Sequence, residues 1–407
     1  MEIATPAEDY NGTLGNGWIQ REERQVVFTP YTGTLERRYA FRYVLIERID
    51  NAPFPIDITD IFADCVSSVD IEAVLPINIE DILLKDIYNI SVKTLKECEQ
   101  DVFEDGPKRD RRLWIGDLRL QALTDYKTFK NYDLIKRCIY LFAAYRANHR
   151  MVASCIFPDS PPYVDEWCFA DYSLFFISCL YDYLENTGDI NLVSELYDIA
   201  YEQVKIVSSK FNDKKGIIEL YSHIDWCPSL DKDISLLGVY IYTLKQIKTL
   251  AEKLNKDFEW IVLEIDKASR AILKFYSKND NLFISPSGQI SWHSQVWAVL
   301  SEVLSKKENI LVLEKIQNIN TVFTMRTPYM IHYYIEALYN CGLEKSAIEV
   351  IKNYWGKIIE SGFDCCPEVF NPDNEFESPY EAPEINSACH ALSCTPAYWI
   401  HKYYNKT

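Results

Sequence analysis

From about Asn78 to the C-terminus, apolar residues recur at spacings of three and four, the signature of helices with one buried stripe. Leu174, Ile177, Tyr181 and Leu184 share one face of residues 169–187. Leu237, Ile241, Leu244 and Ile247 do the same in 232–253, and Ala347, Ile351, Tyr354 and Ile358 in 344–361. Thr187-Gly188-Asp189, Cys341-Gly342 and Ser361-Gly362 read as helix stops. The pattern predicts helices near 79–99, 117–129, 131–149, 169–187, 190–212, 232–253, 257–277, 293–305, 307–318, 328–341, 344–361 and 388–404. Short connections alternate with long ones at 100–116, 150–168, 213–231 and 362–387. Short loops make antiparallel hairpins, and the long loops then collect at one end. No close internal repeat suggests a solenoid, so six hairpins closing in a ring, an (α/α)6 barrel, is the expected main fold.

The first 75 or so residues follow another rule. Residues 25–29 and 37–49 alternate or cluster β-branched and aromatic side chains, with turn signals at Asn11-Gly12, Gly15-Asn16-Gly17 and Thr32-Gly33. These are too few strands for an independent sandwich. The expected organisation is a small β-rich region, 1–75, packed on a barrel of 76–407. The fold class is mainly α.

Composition narrows the partners. A formal net charge of −18 repels a phosphate backbone and an anionic membrane surface, so neither nucleic acid nor membrane is an expected partner. No stretch approaches the ~18 uninterrupted apolar residues of a membrane span. Met1 to Tyr10 is acidic and has no apolar run, so a cytoplasmic location is expected. Twelve cysteines at irregular spacings form no pair of CxxC halves; they read as reduced, packed thiols rather than a zinc site or disulfide framework.

The long loops carry a biased set of residues. Residues 100–117 gather Glu104, Asp105, Asp110 and Asp117 with Lys108, Arg109, Arg111, Arg112 and Trp114. Asp165, Glu166 and Trp167 follow in the next long loop, Asp225 and Trp226 in the third, and Trp292 and His293 open a later helix. The 362–387 loop holds Asp364, Glu368, Glu375, Glu377, Tyr380, Glu381 and Glu384, before His390. Carboxylates, an arginine and tryptophans converging from separate loops suit a carbohydrate site. Indole faces stack on sugar C–H faces, while Asp, Arg and His bind hydroxyls. Two carboxyls then serve as general acid and base. The alternative is ordinary loop polarity, with Asp-Trp pairs acting as caps and packed rings.

The segment Asp105-Gly106-Pro107-Lys108-Arg109-Asp110-Arg111, through Trp114 and Gly116-Asp117, resembles the signature loop of the inverting α-L-rhamnosidases. Tyr354-Trp355-Gly356 and Gly362-Phe363-Asp364-Cys365-Cys366-Pro367-Glu368 resemble that family's later Trp-Gly and glutamate segment, followed by Ser387 and His390. The resemblance covers roughly 78–407. It implies an (α/α)6-barrel glycosidase with Asp110 as general acid and Glu368 as general base. It places Asp105, Arg109, Trp114 and Asp117 at sugar-contacting positions and His390 near the site. Trp167, Asp225, Trp226 and Trp292 fall at the same expected barrel end, where they line the sugar pocket or pack at its rim. Asp stands at position 110 where many members have Glu, and Pro367 precedes the base where Trp is usual.

The implied activity is removal of terminal α-L-rhamnose, or a similar sugar, from a small glycoside by single-displacement inverting hydrolysis, with no metal or cofactor. The assembly is a monomer or homodimer. A uronyl hydrolase, lyase or epimerase on the same barrel, and a non-catalytic sugar-binding relic, are the alternatives.

Overall fold

Among the described residues of a computed structural model, twelve α-helices form along the stretch where the spacing predicts them. The structure describes residues 2–6, 19–23, 38–39, 55 and 57–405, apart from 75, 108, 148–149, 159, 165–167, 375–376 and 381–385. The helices are α1 (Ile82–Cys98), α2 (Ile115–Asp125), α3 (Tyr132–Ala144), α4 (Ala170–Thr187), α5 (Ile190–Ser208) and α6 (Asp233–Lys253). The second half continues with α7 (Glu259–Ile272), α8 (Trp292–Leu300), α9 (Lys306–Ile316), α10 (Pro328–Asn340), α11 (Glu344–Glu360) and α12 (Pro396–Tyr404).

Their burial alternates along the chain. Every residue of α2 is buried, as is the run Ala170–Leu180 of α4. In α6 the expected stripe is buried, but so are Leu236, Val239 and Tyr240 beside it. By contrast α11 buries Ala347, Ile351 and Ile358 on one side and leaves a charged face outward. The reason is position: α2, α4, α6, α8 and α10 pack against one another in succession. The 3-10 turn Ala391–Ser393 touches both α10 and α2, and α12 also packs on α2, which closes the ring. Odd-numbered helices cover this inner ring. A single stripe suffices for them, while an inner helix has neighbours nearly all round. The fold is the expected (α/α)6 barrel.

Short turns join each even helix to the next odd one; residues 188–189 between α4 and α5 are an example. There Gly188 ends α4 at φ +72°, and the Asp189 carboxylate caps α5 through the Leu192 amide at 3.1 Å. The long segments all lead from an odd helix into an even one, so every inner helix begins at the same end of the barrel.

The strands are short. β1 (Glu2–Pro6) and β2 (Ile19–Glu23) pair antiparallel, with Glu2 opposite Glu23. β3 (Leu113–Trp114), β4 (Cys155–Phe157) and β5 (Tyr163–Val164) form an antiparallel sheet at the mouth of the barrel. β6 (Phe211–Asn212) with β7 (Ile217–Ile218), and β8 (Tyr276–Ser277) with β9 (Leu282–Phe283), are small hairpins. The strands expected at 25–29 and 37–49 lie outside the described residues, apart from Arg38 and Tyr39. Arg38 reaches the barrel by pairing with Glu104 at 2.5 Å, and the Ser67 hydroxyl donates to the Lys96 carbonyl at the end of α1.

Several helices end four or five residues before expectation, α7 at Ile272 and α8 at Leu300 among them, and two boundaries have a visible cause. The segment expected as 388–404 becomes helical only at Pro396, because the amides of His390 and Ala391 donate to the carbonyls of Cys366 and Asp105 instead. The helix expected at 131–149 stops at Ala144, after which Arg146 pairs with Val152 as an isolated bridge. The twelve cysteines form no disulfide among the described residues, and all but Cys65, Cys168 and Cys389 are buried. No helix among the described residues is long and apolar enough to cross a membrane.

In the inner ring α6 lies close against α8. A Cβ on Gly238 would lie 2.6 Å from the Trp297 carbonyl oxygen, and Trp297 is itself fully packed. Gly238→Ala is therefore expected to destabilise the barrel by about 1–3 kcal/mol through overpacking, despite alanine's better helix propensity. Urea denaturation followed by circular dichroism checks this; an unchanged or raised midpoint would contradict the packing.

Candidate active site

Because all six inner helices start at one end, that end collects their unpaired backbone N–H groups and the positive poles of their dipoles. Buried carboxylates sit there: Asp117 in the first turn of α2 and Asp171 in the first turn of α4. The loop before α2 is organised around another, Asp105, which is almost wholly buried. Its carboxylate accepts from the amides of Gly106 (2.8 Å), Asp110 (3.1 Å) and Arg112 (3.0 Å). Its own carbonyl accepts from the Ala391 amide at 2.9 Å. Burial, with Asp110 nearby, pushes the Asp105 pKa up to about 7. Asp105 thus positions the loop, and its oxygens are spent on backbone amides rather than directed at a ligand. Gly106 is needed there, since a Cβ would fall 2.8 Å from the Cys389 carbonyl oxygen.

Asp110 emerges from this loop with its side chain one quarter exposed. Arg112 lies 3.4 Å from its carboxylate, and the Arg112 guanidinium stacks over Phe157 of β4 at 4.3 Å. Arg109 lies 3.8 Å from the same carboxylate through Nη1, and its Nη2 donates to Glu368 and, at 2.8 Å, to the Tyr380 hydroxyl. One guanidinium therefore links the two carboxylates that the sequence singles out.

Glu368 is buried, and its backbone is fixed by its neighbours. Its amide donates to the Ser387 carbonyl at 2.9 Å, and the Ser393 hydroxyl holds the preceding Pro367 carbonyl. The Tyr380 hydroxyl donates to Glu368 Oε1 at 2.5 Å, while Arg109 lies 4.2 Å above the Tyr380 ring. Burial opposes charge on Glu368, but His390, Arg109 and Tyr380 outweigh it and hold its carboxyl below the usual range. The acid is kept as a carboxylate. His390 Nε2 stands 3.3 Å from Asp117 Oδ1. Burial favours the neutral ring, yet Glu368, Asp117 and Asp105 retain the proton and push the His390 pKa up to about 9.

Aromatic rings form the other side. Trp114 stacks on Phe169 (6.4 Å between centroids, 12°) and meets Tyr172 edge-on. Tyr172 in turn touches His223 and Tyr329. Trp226, 40 % exposed, packs against His223 and, across the opening, against Tyr380 at 5.5 Å. Charged groups and aromatic rings thus meet at one end of the barrel.

Of the residues expected there, Asp105, Arg109, Asp110, Trp114, Asp117, Trp226, Glu368 and His390 come together. Asp225 does not face outward. Its carboxylate accepts from His293 Nε2 (2.8 Å), the Thr327 hydroxyl (2.6 Å) and the amides of Arg326 (2.8 Å) and Trp226 (2.9 Å), so it acts as a strut that places Trp226. Trp292 stands apart and packs edge-on against Tyr334. Trp167 lies outside the described residues. Asp171, Tyr172, His223 and Tyr329 were not among the expected site residues. Asp171, Tyr172 and Tyr329 occupy first turns of inner helices, the place Asp117 has in α2, and that shared position was the available signal. Asp171 accepts from the amides of His223 and Ile224.

The chain matches the bacterial α-L-rhamnosidase six-hairpin glycosidase domain over residues 76–404. It belongs to that family. Residues 1–65 match the glycosyl hydrolase family 78 α-rhamnosidase N-terminal domain. Among solved structures it resembles a rhamnosidase from Klebsiella oxytoca with rhamnose bound, at 39% identity and TM-score 0.76, over 80% of this chain and 64% of that one. This six-hairpin glycosidase chain thus spans less than two thirds of that relative's length. A family 78 rhamnosidase of a Bacillus species (20% identity, TM-score 0.71, 79% of this chain and 35% of that one) shares the fold. So does a family 63 mannosylglycerate hydrolase of Thermus thermophilus (10%, 0.60, 77% and 99%). No curated protein matches.

The buried His390 yields a pH signature. A group whose pKa rises on folding stabilises the fold fully below its unfolded value, ~6.5 for histidine, and less as pH climbs through the folded one. That window runs from ~6.5 to about 9 here. His390→Asn is expected to cost most stability near pH 6 and progressively less toward pH 10, an order-of-magnitude window set by these two pKa values. Urea midpoints of both proteins across that range test it; a pH-independent difference would show that His390 is not charged in the folded protein.

Proposed function

We propose that this chain is a glycosidase that removes terminal α-L-rhamnose from small glycosides by single-displacement hydrolysis with inversion. The observation that carries the reading is the Arg109 guanidinium set between Asp110 and Glu368, with Glu368 held ionised and Asp110 partly exposed. The 39% identical relative with rhamnose bound supports the choice of sugar.

In this chemistry one carboxyl protonates the departing glycosidic oxygen while the other draws a proton from water attacking the opposite face. Glu368 suits the second role, because three cationic or donor groups keep it deprotonated and fix its direction. Asp110, projecting from the loop that Asp105 anchors, takes the first. A guanidinium between the carboxylates keeps them from direct contact, in the same sense as the wide spacing of inverting enzymes, about 6.5–9.5 Å. Trp114 and Trp226 offer ring faces to the sugar, and Arg109, Asp117 and His390 offer polar groups to its hydroxyls. The protein acts in the cytoplasm on imported substrate, in keeping with its free thiols; fractionation of the native host, with the protein recovered outside the cytoplasm, would refute that location.

Asp110→Asn and Glu368→Gln are each expected to lower kcat on an aryl α-L-rhamnoside by at least ~10²-fold with little change in Tm. An activated leaving group rescues Asp110→Asn in part and leaves Glu368→Gln inactive. NMR of the first-formed product should show inverted anomeric configuration. Retention, or full activity in both variants, would overturn the assignment.

A further inference from the structure

The segment between Glu368 and His390 carries an acid that the chemistry above leaves unassigned. Glu377 stands three residues before Tyr380, and each of its polar groups is engaged. Its amide donates to the Asn374 carbonyl at 2.9 Å, and its carbonyl accepts from Asn386 Nδ2 at 2.8 Å. One carboxylate oxygen accepts from Asn371 Nδ2, and the other from Arg326 Nη1 at 2.6 Å. Asn371, Asn374 and Asn386 belong to the same connection as Glu377, so the acid is a point about which that connection folds. Arg326 comes from elsewhere: it directly precedes Thr327, the cap of α10.

Arg326 works in two directions. Its amide donates at 2.8 Å to Asp225 Oδ2, the carboxylate that also holds the Trp226 amide, while its guanidinium reaches Glu377. Tyr380, further along the Glu377 connection, donates to Glu368 and packs against Trp226 at 5.5 Å between centroids. The contacts close a circuit that runs from Asp225 through Arg326, Glu377, Tyr380 and Trp226 back to Asp225. The Arg326–Glu377 pair is thus an ionic link between the wall that carries Trp226 and the wall that carries Tyr380.

Exposure decides what this pair is for. Its side chains are 28% and 31% exposed, and an ion pair with that much access to water adds little to the stability of a fold. Its geometric effect is larger. Tyr380 brings its hydroxyl within 2.5 Å of Glu368 Oε1 while accepting from Arg109, and such a bond weakens steeply with misalignment. A donor on a connection keeps its aim only where the connection itself is held. We propose that Glu377 is a positioning residue: through its ion pair with Arg326 it keeps the Tyr380 hydroxyl on Glu368 and the Tyr380 ring against Trp226. The catalytic consequence rests on the reading of Glu368 as the general base.

Burial opposes charge on Glu368, and His390, Arg109 and Tyr380 hold it ionised against that cost. Losing the Tyr380 bond raises its pKa toward the ordinary range, and the acidic limb of kcat/KM on an aryl α-L-rhamnoside rises with it. Glu377→Ala is expected to move that limb up by roughly 0.5–1 pH unit, with Tm nearly unchanged. Tyr380→Phe should move it likewise, and adding Glu377→Ala to Tyr380→Phe should move it no further, since both act through one hydrogen bond. Arg326→Met removes the same ion pair while its backbone amide still holds Asp225, and serves if Glu377→Ala is unstable. A limb that stays in place in Glu377→Ala, or that shifts as far again on the Tyr380→Phe background, would overturn the proposal. A second readout needs no hydrolysis. The Trp226 indole NMR resonance, identified by its loss in Trp226→Phe, should move in Glu377→Ala and in Tyr380→Leu, and no further in the double variant. A resonance that Tyr380→Leu moves and Glu377→Ala does not would equally sink the idea. A wild-type protein that turns over no rhamnoside refutes the reading of Glu368 instead, and the indole resonance then decides whether Glu377 places Tyr380.

Discussion

The candidate active site depends on one buried carboxylate that has almost no contact with solvent. Asp105 accepts from three amides of its own loop and, through its carbonyl, from the segment that carries His390. A carboxylate buried this deeply is costly unless hydrogen bonds satisfy it, and the loop supplies them by curling round it. Arg109 and Asp110 both project from that curl, with 3.8 Å between guanidinium and carboxylate. The position of both ionic groups is therefore a by-product of satisfying Asp105.

The charges downstream of that loop are mutually conditional. Glu368 stays ionised because His390, Arg109 and Tyr380 surround it, and His390 stays protonated because Glu368, Asp117 and Asp105 surround it. In a buried setting such a set is stable only when complete, since removing one member strands another. The aromatic side carries no charge and is held differently, by ring contacts and by the Asp225 strut beneath Trp226.

Much of this was legible from residue spacing. The alternation of long and short connections already placed the long loops at one end of a six-hairpin ring, and the acidic, arginine and tryptophan content of those loops pointed to that end as the candidate site. What spacing did not reveal is which face a polar residue turns. Asp105 and Asp225 look like ligand-binding residues in sequence, yet each closes its hydrogen bonds internally. Nothing in the sequence distinguishes a carboxylate aimed at a sugar from one aimed at three amides. Tyr172 and Tyr329 were hidden for the opposite reason: they sit in apolar helical stripes and reach the site only because their helices belong to the inner ring. The helix expected from residue 388 failed locally, since the His390 and Ala391 amides are claimed by distant carbonyls before helical bonds can form.

The one-sided placement of the long segments also separates two evolutionary tasks. Helix packing is written in the alternating hairpins and their short turns, where an insertion would shift the register of an entire helix pair. The candidate site is written in six connections, two of which, 99–114 and 361–395, are tied together by the Ala391–Asp105 bond, and the exposed parts of such connections absorb insertions readily. A lineage built on this ring can therefore vary the exposed part of one connection at a time, lengthening a wall here or moving an aromatic there, and leave the register of the helix pairs untouched.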